Sequence, residues 1–207
     1  MTDQPDRRTA QKQRSREQIL TAARDLIEQQ RSPRFTVDQL AERADVSRRT
    51  IFNHFATLDD VIVALAASEL DDFVTIFGDC IAASGRPLTR ESVFAAAAQT
   101  IERIDIHKII AFFVRALGTE PEFDGHAEQL FHTTFNRIGG ELIDEIVRTS
   151  DDLDAFDAEV AIGQAISGLA AAARHWAQET GTSLDAASRG RLDDLLARVT
   201  ATWPLGS

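Results

Sequence analysis

Residues Val46 to Phe55 read "VSRRTIFNHF", and the reading of this stretch decides the fold. Val46, Ile51 and Phe55 fall on one side of a short helix begun by Ser47, with Val46 and Ile51 at the positions of a hydrophobic staple. Arg48, Arg49, Thr50, Asn53 and His54 are left on the outside, at the front of that helix. The preceding stretch, "FTVDQLAERA", writes a second start: Thr36 caps, Gln39 stands at the third helical position, and Phe35 and Leu40 form another staple. About three residues around Ala44–Val46 separate the two helices, the spacing of a helix-turn-helix. Asp45 sits where the tight turn needs a residue that tolerates left-handed geometry.

Upstream, "SREQ" from Ser15 reads as a capping box and predicts a first helix with Ile19, Ala23, Leu26 and Ile27 on one face. Pro33 in "RSPR" breaks it. Downstream, Thr57 caps with Asp60 at the third position, and Leu58, Ile62, Leu65, Phe73 and Phe77 predict one long helix. Thr89 opens the next, with Leu88 and Val93 as its staple, and "HKIIAFFVRALG" ends another at Gly118. Phe131, Phe135, Ile138, Leu142 and Ile146 line a further helix that Gly139-Gly140 is expected to kink. Two more helices follow near the C-terminus. The prediction is all-α: a basic flexible tail over 1–14, a helix-turn-helix domain over 15–57, and a larger helical domain over 58–207.

The chain of 207 residues carries a formal charge of −11, but unevenly. Residues 1–57 hold 11 Lys and Arg against 8 Asp and Glu, whereas 58–207 hold 11 against 25. Arg7, Arg8, Lys12, Arg14 and Arg16 crowd the N-terminus, which hints at an anionic partner for this end. A composition of 43% hydrophobic and 27% charged residues argues for a globular chain. No apolar run approaches a membrane span, and the N-terminus lacks the apolar segment of a secretory signal. A single cysteine, Cys80, excludes an internal disulfide and fits a small buried hydrophobe. A soluble cytoplasmic protein is expected.

The outward residues of "VSRRTIFNHF" suit DNA. A recognition helix presents its N-terminal residues to base edges in the major groove, where Arg matches the acceptors of guanine and Asn matches adenine. Thr36 and Ser47, at helix starts, are placed to meet phosphates, and the basic tail to follow the backbone or enter the minor groove. For His54, packing or phosphate contact is favoured over base reading. Three short capped helices also describe a plain structural bundle, and paired arginines are commonly solvated surface; caps, turn spacing and contact chemistry together favour DNA.

The segment "FTVDQLAERADVSRRTIFNHF" resembles the signature of the TetR family of bacterial transcriptional regulators, through Thr36, Ala41, Ala44, Val46, Ser47, Thr50, Ile51, Phe52, His54 and Phe55. The resemblance covers about residues 15–62; beyond them only helicity and length agree. There are departures. Asp45 replaces the turn glycine, Phe52 stands where a tyrosine is usual, and Leu58 where a lysine is common, so two phosphate contacts are lost. Their load is expected to fall on Arg48, Arg49 and the tail.

The resemblance implies a dimer and an effector pocket. In "DAEVAIGQAISGLAAAARHWA" a small-residue stripe of Ala161, Ala165, Gly168 and Ala172 runs beside Ile162, Ile166, Leu169, Ala173 and Trp176. Leu192, Leu195, Leu196, Val199 and Trp203 give the next helix an apolar face. Taken singly, each stripe reads equally as monomer core; the resemblance implies that the two helices pair with their copies across a two-fold axis, which lets a dimer read a palindrome. The expected interface is Ala161, Ala165, Gly168, Ala172, Trp176, Leu192, Leu195, Leu196 and Val199. The resemblance likewise implies an inducer pocket in the central helices, with Phe94, Phe112, Phe113, Arg115, Phe131 and Phe135 as candidates, although aromatic residues at helical spacing are more often simple core. Arg115 facing it would imply an anionic or carbonyl-bearing ligand.

No Ser/His/Asp order, phosphate loop, framed carboxylate pair or metal-ligand spacing is present, so no catalysis, metal or cofactor is expected. The expected function is a ligand-responsive transcriptional regulator, a repressor, binding a palindromic operator as a homodimer and released by a small-molecule inducer. The alternative is an all-helical small-molecule-binding or enzymatic protein whose N-terminal bundle docks protein rather than DNA.

Overall fold

Cap residues at the starts of the short helices do what their spacing predicts. In the computed structural model, which describes residues 4–117, 125–149 and 152–204, Thr36 and Thr57 both form complete capping boxes. The Gln39 amide donates to Thr36 Oγ1 at 3.2 Å, and Gln39 Oε1 accepts from the Thr36 amide at 2.7 Å. Asp60 and Thr57 repeat the exchange at 3.1 and 2.9 Å. Thr89 begins its helix in the same way with Ser92. Among the described residues there are ten helices and no strand: α1 (Gln4–Gln30), α2 (Val37–Ala44), α3 (Arg48–His54), α4 (Leu58–Glu69), α5 (Asp71–Ala83), α6 (Arg90–Arg103), α7 (Ile106–Leu117), α8 (Gly125–Thr149), α9 (Ala155–Thr180) and α10 (Ala186–Thr200).

Three sequence expectations change. The helix placed from Ser15 runs instead from Gln4, so residues 4–14 are helical and Ser15 lies inside α1 rather than capping it. The reason is composition: Ala, Gln, Lys, Arg and Glu fill residues 10–18, all but Ser15 strong helix formers, and Gln13 Nε2 donates to Glu17 Oε1 one turn on at 2.9 Å. The single long helix expected from Leu58 breaks at Leu70 (φ −107°, ψ 1°), and Asp71 and Asp72 open α5 in acidic fashion. The break keeps Leu70 buried while α5 lays Phe73 and Phe77 against α6 and α8. Finally, Gly139-Gly140 does not interrupt α8, which continues through both residues with Gly139 buried against Ile162 and Ile166 of α9. The expected helix end at Gly118 lies outside the described residues.

One connected apolar core joins the N-terminal helices to the rest, running from Ile19, Leu40 and Ile51 through Val61 and Leu65 to Phe77, Phe94 and Ile146. A second cluster gathers Ile110 and Val114 of α7 with Trp176 of α9 and Leu192 of α10. Trp176 is fully buried, and its Nε1–H donates to both Ser188 O and Ser188 Oγ at 2.9 Å. Among the described residues, no single helix is long and apolar enough to cross a membrane.

Candidate nucleic-acid interface

The turn between α2 and α3 closes as a Schellman motif. The Val46 amide donates to Ala41 O at 3.0 Å and the Asp45 amide to Glu42 O at 3.3 Å. Asp45 itself is left-handed, at φ 51° and ψ 46°. Ser47 then caps α3: its Oγ accepts from the Thr50 amide at 3.0 Å and lies 2.8 Å from Thr50 Oγ1. Leu40, Ala41, Ala44, Ile51 and Phe55 are buried together, which fixes the angle of α3 on α2 and α1. What remains outside is the predicted set. Ser47, Arg48, Arg49, Phe52 and Asn53 are exposed, Thr50 and His54 half-buried, and Thr36 is exposed at the start of α2. Phe52, at 49% exposure, is one of three large apolar side chains so open among the described residues.

Electrostatics separates the two adjacent arginines. Arg48 Nη1 stands 3.3 Å from Asp38 Oδ1 of α2, a pairing not anticipated from sequence although the two residues belong to neighbouring helix starts. At the other end of α3, the Arg16 guanidinium of α1 lies over the Phe55 ring at 5.3 Å. His54 sits beside it with Nδ1 buried and unpartnered, and its pKa is held below the ordinary value, first by burial and then by the charges of Lys12 and Arg16. The N-terminal part of α1 therefore carries its cations along the flank of α3. Rigid, outward and cationic at one edge, this surface is chemically suited to hydrogen-bond base edges and phosphates.

The residues expected at an effector pocket divide. A cavity of about 110 Å³ lies between α5, α6, α7, α8 and α9, and Phe113 and Phe135 face it with ring centroids 5.7 Å apart. Phe112 is buried edge-on to Phe113. Phe94 belongs elsewhere: it packs on Trp203 at 5.4 Å and lines a groove of about 840 Å³ between α9 and α10. Arg115 turns away as well, because its Nη2 donates to Thr182 O at 2.8 Å and its Nε to Thr182 Oγ1 at 3.2 Å, tying α7 to the α9–α10 turn. An anionic ligand held by Arg115 thus loses its basis. The Phe131 side chain lies outside the described residues. Leu70, Ile106, Ile138 and Ile162 also wall the cavity, outside the expected pocket set; their only signal in the sequence is the ordinary one of core aliphatics at helical spacing.

The expected dimer residues divide by their burial within the single chain, with Gly168 and Val199 half-buried beside the α9–α10 groove. Ala161, Trp176 and Leu192 are fully covered within the single chain, and Ala165, Ala172, Leu195 and Leu196 nearly so. They pack α9 and α10 on each other and on α6, α7 and α8, the outcome of helices apolar over most of their circumference. Gly168 and Val199 mark the close crossing of α9 and α10: a Cβ on Gly168 would lie 2.7 Å from Val199 Cγ1. The outward side of α9 carries Gly163, Gln164, Ser167 and Arg174, with Phe156 71% exposed at its start.

Comparison with known proteins agrees with this geometry at the N-terminus. Residues 19–65 match the family model of bacterial regulatory proteins, tetR family, so the C-terminal part of α1, all of α2 and α3 and most of α4 lie within the match. A protein classed as a TetR-family transcriptional regulator from Mesorhizobium loti MAFF303099 has a similar fold: TM-score 0.56 at 14% identity, covering 93% of this chain and 98% of its own. One from Shewanella sp. PV-4, at 18% identity over 91% and 97% of the two chains, has a TM-score of 0.43, too loose to carry weight. No curated protein matches the sequence.

Proposed function

Starting from an N-terminal domain of the tetR family, we propose that the protein is a cytoplasmic transcriptional repressor that binds a palindromic operator as a homodimer and is released by a small-molecule inducer. The observation that carries the reading is the outer face of α3, where Arg48, Arg49, Phe52 and Asn53 are presented on a helix locked by caps and core. In this reading Arg48, Arg49 and Asn53 address bases, while Thr36, Ser47, Thr50 and His54 hold phosphates and Phe52 lies against sugar or the thymine methyl. One such helix covers few base pairs, which is why a two-fold pair is part of the proposal. Since Ala161, Trp176 and Leu192 are covered within the chain, the partner copy would meet the outward sides of α9 and α10, with Phe156 and the small residues Gly163 and Ser167 at the contact. Leu70 joins α4 to α5 and lines the cavity, so a ligand there acts on the helix that follows α3 through a single loop. It lowers operator affinity by its preference for the wrong head spacing and no more.

Selection from a random oligonucleotide pool tests it. The expected product is an inverted repeat with half-sites about 34–36 Å apart or a multiple of that. Light scattering should give twice the chain mass. A selected site without two-fold symmetry, or a monomer that still binds it fully, overturns the dimeric reading.

A further inference from the structure

Among the described residues, every side chain that lines the 110 Å³ cavity is apolar. Phe73, Phe113 and Phe135 supply aromatic wall, and Ile106, Ile138 and Ile162 aliphatic wall. Thr134, beside Phe135 in sequence, is buried with its Oγ1 unpartnered but is not among the lining residues, and Arg115, His107 and Thr100 are engaged elsewhere. Arg115 is bonded to Thr182, His107 Nε2 stands 2.8 Å from Asp193 Oδ1, and the Thr100 hydroxyl donates to Ala96 O at 2.7 Å. A charged or hydrogen-bonding ligand entering this space gives up its hydration and recovers none of it. A neutral hydrocarbon has no such loss, and gains dispersion contacts that the empty cavity lacks. Size narrows the class further, because a dry cavity of about 150 Å³ with Leu, Ile and Phe walls takes up benzene or xenon.

Resting on the reading of this protein as effector-controlled, we propose that the cavity binds a neutral, hydrocarbon-like molecule no larger than one unsubstituted aromatic ring. The selectivity is against charge and hydrogen-bonding groups, and it is imposed by what the walls omit rather than by any group that recognises the ligand.

The test is thermal unfolding of the full chain with benzene, phenol and benzoate as probes. Benzene at about ten times its Kd is expected to raise Tm by about 3–6 °C. Phenol should bind at least about tenfold more weakly, and benzoate should leave Tm unchanged. Ala97→Leu places extra carbons in the cavity and should abolish the benzene shift; Ala170→Leu does the same from α9 if the first variant does not fold. No benzene shift near its solubility limit overturns the proposal, as does a benzoate shift equal to benzene's, or a benzene shift that survives in a folded filled variant. Operator selection separates the two readings. Benzene binding by a protein with no operator sinks the regulator and leaves the site standing; operator binding by a protein blind to benzene does the reverse.

Discussion

Arg48 and Arg49 are neighbours in sequence with different work ahead of them. In the proposed reading Arg48 leaves the Asp38 carboxylate to reach a base, so part of its gain on DNA replaces an interaction already present. Arg49→Ala is therefore expected to remove base discrimination, costing about 1–3 kcal/mol on the selected operator and much less on random duplex; paired titrations of the two DNAs check it. His54 makes a pH prediction. Its folded pKa lies below the ordinary 6.5 because of burial, then Lys12, then Arg16, and the buried Nδ1 has no acceptor for a proton. Once pH falls below the unfolded value, the unfolded chain binds a proton that the folded one resists, so the stability present above about 6.5 is lost as pH descends through the folded pKa. Thermal scans between about pH 7.5 and 5.5 should show Tm falling toward acid, and His54→Gln should flatten that slope.

At the scale of elements, α9 and α10 cross closely at Gly168 and Val199. Gly168→Ala drives a Cβ onto the stiff Val199 side chain and should destabilise by about 1–3 kcal/mol in urea titration. Adding Val199→Ala should cost less than the two changes summed, since the second removes the clash made by the first. The short helices were legible because each start is written in two or three adjacent residues: Thr36 with Gln39, Ser47 ahead of Thr50, Thr57 with Asp60, and Asp45 at the turn. The longer elements were not. The Leu70 break has no proline or glycine to announce it and depends on where α6 and α8 receive Phe73 and Phe77. Trp176 and Leu192 fit an interface and a monomer core equally well in the sequence, because apolar periodicity reports burial without saying which surface does the burying. Arg115 lies close in sequence to Phe112 and Phe113, and only folding brings Thr182 to it.

For the whole molecule, charge is partitioned along with structure. The N-terminal 57 residues hold most of their excess cations on α1 and at the front of α3, while the remainder is strongly acidic and repels the same phosphates. Binding should be steeply dependent on salt, with operator affinity falling about a thousandfold or more between 50 and 200 mM if six or more phosphates are engaged per dimer; a mobility shift at several ionic strengths gives the slope. The continuous core between α1, α4 and the larger domain makes a single unfolding transition the expectation for the chain. The extension of α1 back to Gln4 has one more effect. A helix of 27 residues is a rod about 40 Å long, and Lys12, Arg14 and Arg16 hold fixed bearings around its axis. Inserting one residue after Arg14 would swing Lys12 about 100° around that axis, whereas inserting seven nearly restores its bearing. Loosely strung cations would be indifferent to both; in the proposed reading these meet the duplex in phase, so the first insertion should weaken operator binding more than the second.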